Sequence, residues 1–185
     1  MKLKSGFITV ILISHIMKIP VFVSSSTVLS QNQEKSREKL LELLDKFNLE
    51  PRALGRSDYP TEYPLREVYV IAKHCAGGII LGFEQIRATC GLIKPSTPDE
   101  KQISEISPVS IPTPWNHLEA GIIFGLHLPL LIFRQEGVFG GVFDNGVTDV
   151  FVHTIPVETW MPSDEVSLNA IFLKWHAKVI AHYYM

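Results

Sequence analysis

A doubly wound α/β fold follows from two observations on this sequence. Short strand-like runs alternate with longer helical patterns about five times along the chain. The strand-like runs are apolar throughout instead of alternating with polar residues, which suits a parallel sheet covered by helices on both faces. Together they predict a flavodoxin-like, mainly parallel sheet of about five strands, ordered 2-1-3-4-5. In such a sheet ligands bind outside the carboxyl ends of the strands, near the point where the strand order reverses.

Each element has its own signal. Residues 19–23 form a short buried strand that ends in Ser24, Ser25 and Ser26. Ser30 and Gln33 match a capping box, so a helix follows. Its Leu40, Leu43, Leu44 and Phe47 share one face, while Glu34, Lys35, Glu38, Lys39 and Glu42 are solvated. Residues 49–54 give a second strand, which Pro51 restricts to an edge. A loop over residues 55–64 carries Asp58, Tyr59 and Tyr63. Pro64 opens a helix with Leu65, Val68, Ala72 and Cys75 as its buried stripe and Gly77-Gly78 as its stop.

Residues 79–83 are the third strand. Residues 86–113, with Pro95, Pro98, Pro108 and Pro112 among serines and threonines, read as a long irregular insertion of the kind that serves as a lid or lacks order. Thr113 and Pro114 then start a helix over residues 115–126, as N-cap and first-turn proline. Residues 130–133 are the fourth strand, residues 137–149 a glycine-rich loop, and residues 151–155 the fifth strand. Ser163, Asp164 and Glu165 begin the last helix, whose Leu168, Ile171, Phe172, Trp175 and Val179 face the core.

The chain of 185 residues suits one domain, spanning residues 18–185, with a sizeable core. A formal net charge of -2 and no basic stripe give nucleic-acid backbones no electrostatic hold. Cys75 and Cys90 have no metal-ligand spacing, so no metal is expected and a reduced, cytoplasmic setting is the simplest inference. Residues 1–17 carry Lys2 and Lys4 ahead of an apolar run too short to span a membrane. They read as an extension upstream of Met17, ahead of a membrane-associated leader or a cleaved signal, because cleavage near residues 24–26 would remove the first strand.

The helix behind Thr113 holds the candidate chemistry. Trp115 and Glu119 lie four residues apart and Asn116 and Glu119 three apart, so they share a face. A carboxylate beside an aromatic plane and an amide can bind a sugar or nucleotide; the alternative is a glutamate that only solvates a surface helix. Fold order brings Glu119 toward the carboxyl edge of the sheet, where Ser24–Ser26 and the residues around Phe83 also end.

Two stretches carry a family resemblance. Residues 21–26, an apolar strand followed by serines, resemble the first-strand box of TIR domains. Residues 113–119 resemble the TIR motif of a small hydroxyl residue, any residue, Trp, Cys, two residues and Glu, with the same Trp-to-Glu spacing and Asn116 in place of the cysteine. Glu119-Ala120-Gly121 also resembles the Glu-x-Gly of nucleoside deoxyribosyltransferases, although Trp-Asn stands where that family has Gly-Thr. The loop at Asp58, Tyr59 and Pro60 is only loosely similar to its TIR counterpart.

The resemblance implies an N-glycosidic bond as target, NAD or a related nucleotide as substrate rather than cofactor, and Glu119 as the catalytic group. A carboxylate there would stabilise oxocarbenium-like charge or attack as nucleophile. Trp115 would stack on the base, Asn116 would hold a ribose hydroxyl, and Ser24 with neighbouring N–H groups would cradle phosphate. Ser25, Ser26 and Phe83 complete the expected binding set. An antiviral-defence setting is consistent with this likeness. The alternatives are a non-catalytic nucleotide-sensing or self-associating module, or an interaction domain using apolar surface at residues 137–143. His117 points to another face, and His74 and His127 are expected as packing residues within helices. Asp144 is a turn former that a second subunit could use. No membrane partner is expected.

Overall fold

The parallel sheet takes its shape from strands that are apolar on both sides. In the computed structural model, which describes residues 18–58 and 63–185, β1 (Ile19–Ser24), β2 (Leu49–Arg52), β3 (Gly78–Gly82), β8 (Leu130–Gln135) and β9 (Val152–Ile155) form one five-stranded sheet. Its order is β2-β1-β3-β8-β9, with every neighbouring pair parallel. This is the expected 2-1-3-4-5 arrangement of a flavodoxin-like α/β fold. Pro51 does lie on an edge strand, where its missing N–H leaves no ladder bond unmade.

Strand parity divides the core in two. Val21, Val23, Ile79, Leu81 and Phe133 pack against α1 (Gln31–Lys46) and α4 (Pro162–Tyr183). Phe22, Ile80 and Ile132, one residue out of step, pack against α2 (Pro64–Lys73) and α3 (Pro114–Gly125). Because successive side chains point to opposite faces, the central strands β1, β3 and β8 are apolar over most of their length to serve both layers. The edge strands β2 and β9 carry Glu50, Arg52, His153 and Thr154.

Helix α1 starts as its capping box requires. Ser30 Oγ accepts the Gln33 N–H at 3.2 Å, and Gln33 Oε1 accepts the Ser30 N–H at 3.0 Å. The buried Gln33 amide also donates to Glu84 O and to Gln135 Oε1, each at 2.9 Å, which ties α1 to the carboxyl ends of β3 and β8. A Ser30→Ala variant should lose about 1 kcal/mol of stability, read by urea unfolding, with no change in the m-value.

Four expectations need correction. Leu65 is exposed on α2, whose buried face is Val68, Ile71 and Ala72, and Cys75 is buried just beyond the helix end. His127 lies past the end of α3 in the left-handed region, at φ 56°, and it and His74 are exposed. The insertion is not irregular. β4 (Ile86–Ala88) pairs antiparallel with β7 (Val109–Ile111), and β5 (Gly91–Ile93) with β6 (Lys101–Ile103), giving two nested two-stranded ribbons. Three-residue strands, the outer pair joined across twenty residues, leave no run long enough to read from the sequence. The ribbon base is fastened where the Ser110 hydroxyl donates to Glu84, which is also ion-paired with Arg87. Burial alone would raise the Glu84 carboxyl, but these two partners outweigh it and hold it low.

Residues 137–143 are not an apolar surface either. Val138 and Phe143 are buried in the α2/α3 layer, and Phe139 alone of the large side chains there is exposed. The readings for residues 1–17, Tyr59 and Pro60 lie outside the described residues. No helix among the described residues is long and apolar enough to cross a membrane.

Candidate functional site

The strand order reverses between β1 and β3, and a cleft of about 540 Å³ opens at their carboxyl ends. The β1–α1 loop supplies Ser25, Ser26, Thr27 and Val28 to one wall, and the β2–α2 loop adds Leu54 and Gly55. Gln85, Ile86 and Pro112 from the ribbon base form the opposite wall. Trp115 and Glu119 enter from α3, on the common face that their spacing dictates. Gly55 adopts φ +75°, which lets the second loop turn beneath Thr27.

Thr113 and Pro114 set the start of α3 as expected: Thr113 is the N-cap, and its hydroxyl accepts the Trp115 N–H at 3.4 Å. Trp115 keeps 40% of its surface exposed, so its ring is open to a planar ligand. Glu119 is only 9% exposed and is the single acidic side chain among the described residues that line the cleft. Burial pushes its carboxyl up to about 7, against the opposing pull of a hydrogen bond from Ser24. At neutral pH the group is therefore divided between its protonated and ionised forms.

The interior side of Glu119 is held by a short relay. Asn116 Nδ2 donates to Ser24 Oγ at 2.7 Å, and the Ser24 hydroxyl in turn bonds to Glu119. Strand parity explains it: Phe22 and Ser24 point toward the α3 side, so Ser24 meets the first turn of that helix. Asn116 Oδ1 is buried with no partner among the described residues, a cost retained within this relay.

These positions redistribute the expected roles. Ser25, Ser26, Trp115 and Glu119 share the cleft. Asn116 is fully buried, so it holds Ser24 and cannot reach a ribose hydroxyl. Ser24 is equally enclosed, with its hydroxyl spent on Asn116 and Glu119, and is not a phosphate cradle. Phe83 has the same parity as Ile79 and Leu81, so its ring packs in the α1/α4 layer and lines no part of the cleft.

Sequence reasoning missed Gln85 and Ile86, which belong to the cleft only because the ribbon base folds back beside α3. His117 turns away from the cleft, edge-on to Phe143 at 5.3 Å between ring centres, and burial lowers its basicity. Asp144 accepts the Gly140 N–H at 2.8 Å, as a turn former does. Asp58 is ion-paired with Arg52. Among the described residues no group of three His, Cys, Asp or Glu side chains is placed to hold a metal.

Fold and site together define a doubly wound α/β protein with a buried carboxyl in a cleft at its switch point. Among known proteins, no family model matches the chain, and no curated protein is significantly similar to it.

Proposed function

We propose that the cleft binds a nucleotide or nucleoside and that Glu119 acts on its N-glycosidic bond, as a hydrolase or transferase. The observation that carries this reading is one nearly buried carboxyl facing a cleft rimmed by an open tryptophan, at the sheet edge where such folds bind ligands. The TIR-like spacing of Trp115 and Glu119 supports it, as does the likeness of Glu119-Ala120-Gly121 to the Glu-x-Gly of deoxyribosyltransferases. The substrate these likenesses imply is NAD or a related nucleotide with a good leaving base.

In this reading the base stacks on Trp115 and the anomeric carbon lies over Glu119. The C1′–N bond breaks with its electron pair leaving on the base, and positive charge develops on the sugar. The ionised carboxylate stabilises that charge, or bonds to C1′ until water or another acceptor displaces it. The relay from Asn116 through Ser24 aims the carboxyl, while exclusion of water strengthens its field.

The ionised form is the active one, so base release should rise with pH through about 7 and level off above it. Chromatography of NAD and nucleoside incubations, over pH 5 to 9 and at high protein concentration, checks this. Absence of any released base would remove catalysis. Saturable binding without product would favour a sensing module, and no binding would remove the reading altogether.

A further inference from the structure

We infer that a second cavity, behind the β1–α1 loop, binds phosphate, so that the ligand of the cleft is a phosphorylated nucleoside and not a free one. This rests on the nucleotide reading of the cleft. The cavity measures about 220 Å³ and is lined by Ser25, Arg37 and Arg56 among others. Ser25 lines the cleft as well, so the two spaces meet at this residue. On this reading the phosphate of a cleft-bound ligand sits at Ser25, the residue common to both spaces.

The cavity carries spare positive charge. Arg37 Nε donates to Glu34 Oε1 at 2.9 Å, and Arg56 Nη2 lies 3.4 Å from Glu34 Oε2. Two guanidinium groups thus share one carboxylate, an excess of one cation. Asp58, which accepts from Ser57 at 2.8 Å near the cavity, is already neutralised by Arg52.

Arg56 also has an unmet donor. Its Nη2 donates to Ser26 O at 2.8 Å and Thr27 O at 3.2 Å, which props the loop, but its Nε is buried without a partner among the described residues. A buried cationic N–H left unpaired is costly, and a phosphate oxygen would satisfy it with a charge-assisted bond. The Ser25 hydroxyl, whose one hydrogen bond among the described residues is a long 3.5 Å approach to Ser26 O, can donate as well. Ser24, by contrast, has no hydroxyl capacity to offer.

The test is calorimetric titration of the full chain carrying Glu119→Gln, so that ligand is not consumed. Common ribonucleosides, their 5′-monophosphates and inorganic phosphate are compared. The monophosphate should bind about tenfold or more tightly than its nucleoside. Adding Arg37→Gln should erase that advantage and leave nucleoside affinity unchanged. Adding Glu34→Gln, which removes the competing carboxylate, should enlarge the advantage, a gain that a misfolded protein would not produce. Equal binding of nucleoside and monophosphate, or an advantage that survives Arg37→Gln, overturns the phosphate site while leaving the nucleoside cleft standing. Inorganic phosphate that binds with no gain for monophosphates likewise overturns the link between the cavities. Failure of every ligand to bind overturns both.

Discussion

Replacing Glu119 by Gln should reduce base release by roughly a thousandfold or more while making the protein more stable at pH 8. The first effect follows if the carboxylate faces charge that exists only in the transition state, because an isosteric amide keeps the shape but not the charge. The second follows from burial. The folded chain binds the Glu119 proton more tightly than the unfolded chain, whose carboxyl stays near its ordinary value of 4.5. Stability therefore falls as pH rises from about 4.5 to about 7 and is lowest above that window.

At about 1.4 kcal/mol per unit, the displacement to about 7 corresponds to roughly 3 kcal/mol at pH 8. Glu119→Gln should recover much of that at pH 8 and almost none at pH 5. Denaturant unfolding at the two pH values checks it. A glutamate that merely solvates a helix would show neither effect, so an unchanged unfolding midpoint at pH 8 would contradict the buried site. Loss of activity joined to a gain in stability is the expected mark of a group retained for function.

Phe143→Ala should cost about 3–5 kcal/mol, a large loss for a single change outside the site. The ring is fully buried, its backbone carbonyl accepts from Arg134 at 2.8 Å, and it packs in a T-shaped contact with His117. It also lies directly over Gly82. A methyl group at Gly82 would come within 2.2 Å of the ring, and its three nearest neighbours would all be ring atoms. Gly82→Ala should therefore destabilise by about 1–3 kcal/mol by overpacking. In the Phe143→Ala background that penalty should vanish, because the added methyl enters the space the ring has left. Urea denaturation of both single variants and the double variant measures this coupling, and strictly additive losses would contradict the packing.

Much of the scaffold was legible because its signals are local. The Ser30–Gln33 capping box, the Thr113-Pro114 start of α3 and the apolar runs of the sheet depend on neighbours a few residues away. Pro51 placed β2 at an edge for the same kind of reason. The ribbon, by contrast, joins residues 86–88 to 109–111 through pairings whose only sequence trace is three-residue strands. The buried loop at Val138 and Phe143 looked exposed because glycine-rich stretches usually are, yet here Gly82 leaves room for an aromatic ring.

The sequence by itself determined that Trp115, Asn116 and Glu119 share a helical face near the carboxyl edge of a parallel sheet, since helical spacing and element order require no distant contacts. Only the tertiary structure decided how that face is divided. The parity of β1 turns Ser24 toward Asn116 and Glu119, which buries the relay and raises the carboxyl. The parity of β3 sends Phe83 into the core, and the folded ribbon brings Gln85 and Ile86 to the cleft. The register and facing of strands are set by packing across the whole domain, and no local spacing contains them.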